Sequence, residues 1–263
     1  MLRAGGWAGV FVVVEGPEDE GFWRAHLRVA PEAIVIAEGV LNLQDCMRAL
    51  PPVLSGAVCA IADQDFRGYL PVDPFVGCQA VFFYDEGFLE TFLLNTTAFR
   101  KVLSVRAHGP RIATFLAASK THTVYSHLRA IGSVFGRLRV LNQQHGWGLS
   151  FEKDFSIFKY VDEGTWQLDE ARLIADVANE VGWGIAALES GCDRVGIRGE
   201  LKLVHGHDAL KILAVGLKTK LGSANIGART LCADLRLAFE SASLAHKRLA
   251  SQLKSWAGAR TLI

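Results

Sequence analysis

The stretch Val10–Trp23 reads VFVVVEGPEDEGFW. It opens with five consecutive apolar residues, mostly β-branched, the composition of a short strand buried on both faces. Glu15 ends the run, and Gly16 and Pro17 turn the chain. Proline suits a first helical turn, and Glu18, Asp19 and Glu20 behind it favour a helix N-terminus through the helix dipole. Phe22, Trp23, His26 and Leu27 then recur at the spacing of one buried helical face. The stretch is therefore strand, turn and helix, with a carboxylate at the junction. In an open α/β sheet that junction lies on the edge where ligands collect.

Outward from this unit the pattern repeats. Ala33–Ala37 (AIVIA) reads as a second strand, Gly39 as a turn, and Asn42 as the cap of a helix running to Leu50. Pro51 and Pro52 stop that helix, and Pro31 stops the one before it. Ala57–Ala62 is a third strand and runs straight into Asp63-Gln64-Asp65. Gly68, Pro71 and Pro74 mark a loop, Cys78–Tyr84 a fourth strand, and Phe88–Leu94 the start of a helix. Strands alternating with short helical connections predict an α/β fold, a mostly parallel sheet with right-handed crossovers. Parallel strands place their carboxyl ends on one edge. Glu15, Asp63 and Asp65 converge there if strands one and three are neighbours.

Beyond Asn95 the texture changes. Residues 96–144 are rich in Arg, Leu and Ala at helical spacing, with a break near Gly109-Pro110. Gly146–Thr165 is irregular, with a short hairpin expected around Phe151–Val161. Asp169–Val181, His207–Leu221 and Ala228–Ala257 read as helices, and Gly191–Gly199 as a loop. The expected organisation is a catalytic α/β domain over residues 1–95 and a mainly helical region over 96–263 packed on it.

Half of the 263 residues are hydrophobic and 21% are charged, which excludes a disordered chain. The net charge of +1 hides an asymmetry. Residues 1–95 hold 5 Lys/Arg against 13 Asp/Glu, a balance of −8, and residues 193–263 hold 12 against 5, a balance of +7. An acidic half suited to cations thus accompanies a basic end suited to phosphates, and the same contrast would serve packing between the two. The five cysteines form no C-x-x-C pair, which excludes a zinc ribbon or a thioredoxin motif. Such a scattered, odd set fits a reducing, cytoplasmic setting, and Cys59 lies in an apolar run that reads as core. No signal-peptide core precedes the first strand, and no stretch offers the roughly 18 uncharged residues of a membrane span.

Three carboxylates brought together at neutral pH repel one another unless one protonates or a cation joins them. Mg²⁺ or Mn²⁺ takes oxygen ligands of this kind, and such an ion can polarise a phosphodiester and position water. The alternative reading of a lone D-x-D is a turn or a helix cap.

These residues carry a resemblance. VVVEGPEDEGFW followed by AIADQDF resembles the Toprim domain of topoisomerases, primases and OLD-type nucleases, with its Glu-Gly after strand one and Asp-x-Asp after strand three. The chain is similar to a bacterial Toprim-like family that includes the nuclease effector of the PARIS anti-phage system. The matching segments are Glu15-Gly16 with Asp19 and Phe22-Trp23, then Asp63-Gln64-Asp65-Phe66, then Glu90 at a helix head, then Gly206-His207-Asp208. Gln64 stands where the family often has Arg, and Thr91 where Asn often follows the Glu. The resemblance implies a metal-dependent nuclease in anti-phage defence, acting on tRNA, other RNA or DNA. It also implies an ABC- or SMC-type ATPase partner, and a homodimer is compatible with it. Glu15, Asp63 and Asp65 would be catalytic, and Glu90 would join them as a Mg²⁺ or Mn²⁺ ligand.

Around this set, Asp19 reads as a carboxylate behind the ligands or as an acid placed for the helix dipole. Glu90 otherwise reads as a solvated helix acid. His207 and Lys211 are candidate phosphate contacts, with His205, Lys202, Lys218, Lys220 and Arg229 nearby in sequence. They equally suit a solvated surface. Trp147, Trp166, Trp183 and Trp256 read as core. No Walker A motif is present, so nucleotide-driven control would come from another chain. Two further classes use the same residues. A nucleotide-sugar transferase would employ the D-x-D but gives Glu15 no role. A non-catalytic interaction module would carry the acidic edge as structure alone.

Overall fold

The computed structural model describes residues 9–119, 121–196 and 203–258. The chain forms two compact units. One comprises Met1–Asp63, Val72–Asp85 and Glu240–Ile263, the other Gln64–Pro71 and Glu86–Phe239. The change of texture at Asn95 is thus not where compactness divides the chain. Residues 86–95 group with the helices, and the stretch from 240 returns to the sheet.

The first unit is an α/β sheet. Its strands are β1 (Phe11–Val14), β2 (Ile34–Ile36), β3 (Val58–Ala62) and β4 (Val81–Phe83). Their order is β2-β1-β3-β4 and every pairing is parallel, with Val13 opposite Val35 and Ala60, and Ala62 opposite Phe83. Helices α1 (Pro17–His26), α2 (Val40–Arg48) and, from the far end of the chain, α12 (Arg248–Ala257) belong to this unit. Val12, Val14 and the whole of β3 are buried, as central parallel strands require, which is why their runs are apolar without alternation. Val13, Val58, Ala60 and Ala62 pack on Leu43 and Met47 of α2, and Phe82 of β4 meets the Trp256 ring of α12 at 6.1 Å. Each large apolar side chain among these contributes about 1.5–3 kcal/mol by burial. Cys59 is core, and burial pushes its thiol up.

Two local readings change. The residue capping α2 is Gly39, at φ 119°, while Asn42 lies inside the helix and donates to the Glu38 carbonyl. Pro31 does not end α1, which closes at Leu27 with its N–H on the Trp23 carbonyl. Pro31 instead opens a 3₁₀ turn leading into β2.

The second unit is helical: α3 (Leu89–Leu94), α4 (Thr97–Arg106), α5 (Gly109–Ala118), α6 (Val124–His145), α7 (Ile157–Tyr160), α8 (Glu170–Val181), α9 (Ile185–Gly196), α10 (Gly206–Lys218) and α11 (Ala228–Ala238). Helix α10 is apolar nearly all round, so it can only be central. Ala209, Leu210, Ile212, Leu213, Val215 and Leu217 are buried, and α3, α6, α7 and α11 pack around it. At Gly136 of α6 a Cβ would lie 1.5 Å from the Leu203 carbonyl oxygen, so glycine is required for that approach.

The hairpin expected at Phe151–Val161 is absent. Ile157 and Tyr160 are buried at i, i+3 spacing and wind the segment into the turn of α7, leaving one antiparallel bridge, Val161 to Leu168. Gly191, expected in a loop, lies in α9 against Leu141, and the remainder of that expected loop, residues 197–199, lies outside the described residues. The single helix expected over Ala228–Ala257 is two. Phe239 leaves helical geometry to bury its ring 5.8 Å from Phe92, and a 3₁₀ turn, Ser241–His246, precedes α12. Of the tryptophans expected in the core, Trp166 is fully buried, while Trp147, Trp183 and Trp256 are half-buried, the Trp147 and Trp183 rings meeting each other at 5.0 Å and both touching His145. Among the described residues no helix is long and apolar enough to cross a membrane.

Candidate functional site

Because β1 and β3 are neighbours, with Val14 opposite Ile61, the residues that follow them emerge side by side. The Asp63 N–H donates to Oε1 of Glu15 at 2.8 Å. The Glu15 carbonyl accepts the N–H of Gly39 at 2.9 Å, just past β2. One residue thus ties the exits of three strands together, its backbone to one side and its carboxylate to the other. Glu15 and Asp63 are both half-buried. Gly16 does not carry the turn expected of it: its φ of −147° and ψ of 177° are ordinary extended backbone, and a Cβ there would meet open space. The chain is redirected by Pro17 and by helix formation.

Asp19, in the first turn of α1, accepts the Tyr84 hydroxyl at 2.7 Å. The same hydroxyl accepts the Trp23 indole N–H at 2.8 Å, and the two rings lie nearly parallel. Tyr84 and Trp23 are wholly buried. Burial raises the Tyr84 phenol far above its usual range, the charges of Asp19 and Asp63 add to this, and the hydrogen bond to Asp19 works in the same direction. Tyr84 therefore remains a donor at every physiological pH. The first unit carries Glu15, Asp63 and Asp19 along one sheet edge; all three offer hard oxygen, the ligand class of Mg²⁺ or Mn²⁺, but their ligand atoms do not all lie within 4.8 Å of one another. Asp85, also at the end of a strand, is used differently. It receives the N–H groups of Arg248 and Leu249 and caps α12.

Asp65 and Glu90 belong to the second unit. Asp65 and Phe66 hold φ values of 43° and 59°, two successive non-glycine residues in left-handed geometry. Strain of this kind costs about 1–3 kcal/mol per residue and gathers at functional sites. Burial raises the Asp65 carboxyl. Phe66 holds the turn by packing on Phe88 at 5.5 Å, and the Gln64 N–H donates to the Gly87 carbonyl.

Glu90 is not a solvated acid; it is 7% exposed, and His207 Nε2 approaches its Oε1 at 3.3 Å. Burial alone would raise the carboxyl, but the hydrogen bond and charge of His207, with help from its own backbone and His205, hold it below the ordinary value. A Cβ at Gly206 would lie 2.0 Å from Glu90 Oε2, so glycine admits the carboxylate. Asp208, fully buried, takes a two-pronged hydrogen bond from Arg139 at 2.8 and 2.9 Å. Gly206-His207-Asp208 is thus a clasp: one residue makes room for Glu90, the next bonds it, and the third anchors the helix start.

His205 packs against Phe88 at 4.9 Å, and its Nδ1 is buried without a hydrogen-bond partner among the described residues. Burial, then the Arg139 charge, holds its imidazole down at about 3, against the opposing pull of Glu90. The unfolded residue takes up a proton near pH 6.5 and the folded one does not, so stability falls as pH drops from about 6.5 toward 3. Glu90, whose carboxyl is depressed, contributes only below about pH 4.3. His205→Gln is therefore expected to lessen the stability loss between about pH 6.5 and 5, with the proton-linkage slope falling by up to one proton, while His26 and His127, whose imidazoles burial also lowers, supply the remainder. Urea melts of both proteins across that range check this, and identical slopes would refute it.

Of the basic candidates, Lys211 is half-buried and ion-paired with Glu152, and Lys218 pairs with Glu163 at 2.8 Å. Lys220 and Arg229 are exposed, and Lys202 lies outside the described residues. Among the described residues no continuous stripe of unopposed charge joins them. Tyr84, Trp23 and Arg139 were not legible as site residues. Trp23 is marked in the sequence by the Phe22-Trp23 segment and by standing i, i+4 from Asp19 on α1; Tyr84 carries no such signal. The chain matches no protein-family model, no curated protein and no solved structure.

Proposed function

We propose that the chain is a Mg²⁺- or Mn²⁺-dependent nuclease of the Toprim kind. The observation that carries this reading is the coupling of Glu15 to the exit of β3, which sets its carboxylate beside Asp63 with Asp19 on the same edge. Repulsion among these acids is relieved when a cation is held between them. When bound, that ion would polarise the scissile phosphate and stabilise the leaving oxygen. Glu15 and Asp63 would hold it; the hydrogen bond from the Asp63 N–H to Glu15 orients the Glu15 carboxylate in advance. A transferase using only the D-x-D gives Glu15 no part. The resemblance to PARIS-type effectors supports RNA or DNA as substrate, a role in anti-phage defence, and control by an ATPase on another chain. No Walker A motif occurs in this one.

The test uses the purified chain with Mn²⁺ titrated by calorimetry, and with labelled tRNA and DNA in Mg²⁺, with and without an excess of chelator. Expected results are Mn²⁺ binding by the wild type, at least a roughly tenfold loss of affinity in Asp63→Asn, and cleavage that chelation abolishes. If the isolated chain is held in check, cleavage is expected to be weak until a partner releases it, while Mn²⁺ binding remains measurable. Absence of Mn²⁺ binding would overturn the proposal.

A further inference from the structure

We infer that Tyr84 is a positioning residue for this edge, acting through Asp19; the inference rests on the reading of the Glu15–Asp63 edge as a cation site. Its basis is the direction of a buried hydrogen-bond chain. The indole of Trp23 can only donate, so its N–H occupies a lone pair of the Tyr84 oxygen. Tyr84 has a single hydroxyl proton, and that proton points to Asp19 Oδ1. Both aromatic side chains are wholly buried and cannot be replaced by water at either contact. The polarity of the chain, Trp23 to Tyr84 to Asp19, is therefore set, and it ends on a half-buried carboxylate that must accept.

Two consequences follow. One carboxylate oxygen of Asp19 is held in place by the phenol, on an edge where Asp63 is close enough for its charge to act on the same phenol. The acid charge at the edge is then held without the carboxylates swinging apart, which is the preorganisation a cation needs from groups behind its ligands. Mg²⁺ retains several of its waters when bound, and those waters require acceptors around the ion. A fixed, charged Asp19 is such an acceptor, so Tyr84 would govern affinity for a hydrated divalent cation without touching it.

The experiment is a double-mutant cycle on Mn²⁺ affinity with the full chain: wild type, Tyr84→Phe, Asp19→Asn and the double variant, by calorimetry and by the Mn²⁺ electron paramagnetic resonance spectrum. Phenylalanine keeps the ring and removes only the hydroxyl. The expected result is a rise of about tenfold in the Mn²⁺ dissociation constant for Tyr84→Phe, a similar rise for Asp19→Asn, and little further loss in the double variant. Unchanged affinity in Tyr84→Phe overturns the inference, as do fully additive effects, because a packing role would not act through Asp19. A wild type that fails to bind Mn²⁺ instead overturns the underlying reading of the edge. Should Tyr84→Phe fail to fold, Trp23→Phe takes its place in the cycle. It releases the constraint on the hydroxyl proton and is expected to weaken Mn²⁺ binding by a smaller factor, again without further effect on the Asp19→Asn background. Additivity there overturns the inference equally.

Discussion

Glu15→Gln is expected to lower metal-dependent cleavage by about 10²–10³, the usual cost of removing one group that stabilises developing charge. Glutamine keeps the length of the side chain, and its amide oxygen can still accept the Asp63 N–H that Glu15 Oε1 accepts at 2.8 Å. The strand exits therefore stay joined, and only a charge is removed. Cation affinity and phosphodiester cleavage should fall together, since one ion both holds the substrate and stabilises the leaving oxygen. Without cation, the variant should be as stable as wild type or more so, because Glu15 no longer repels Asp63 and Asp19. Thermal melts with and without Mn²⁺, run beside a nuclease or cell-toxicity assay, measure both effects. A variant that stays active and still gains stability from Mn²⁺ would remove Glu15 from the site. One that unfolds would make it a structural tie between strands.

Arg139→Met is expected to destabilise the helical unit by about 3–5 kcal/mol, because it strands the charge of Asp208 in an apolar interior. Asp208 has no solvent exposure, and Arg139 reaches both of its oxygens through Nε and Nη2. The guanidinium also lies over the Phe151 ring at 4.9 Å, so packing is lost along with charge. The double variant Arg139→Met, Asp208→Leu should recover most of the loss, since replacing both partners by apolar groups leaves no unpaired charge. Urea denaturation of the three variants tests this. Equal stability of the single and double variants would show that the pair is not what anchors the start of α10. The damage should also reach Glu90, because Gly206 and His207, which admit and bond its carboxylate, immediately precede Asp208.

Local patterning and periodicity are legible in the amino-acid sequence alone. The runs VFVVV and AVCAIA could only be central strands, being β-branched, apolar and too short for buried helices, and a parallel sheet followed from the short helical segments between them. That pattern puts Glu15 and Asp63 at strand ends, and the neighbouring of β1 and β3 brings them side by side. Features that depend on partners distant in sequence emerge in three dimensions. Helical periodicity runs on past Phe239, yet the chain breaks there, because burying that ring against Phe92 outweighs the propensity to continue. Glu90 and Gly206-His207 stand in the family pattern as separate segments, but that Gly206 makes room for the Glu90 carboxylate and His207 bonds it is set by packing across more than a hundred residues. Asp19 stands in the family pattern, but the phenol that bonds it arrives from the end of β4 and is visible only in three dimensions. Periodicity reports which face of an element is buried, whereas the identity of what buries it is a matter of three-dimensional contact. The strand-end carboxylates could thus be read one element at a time, and the groups that orient them could not.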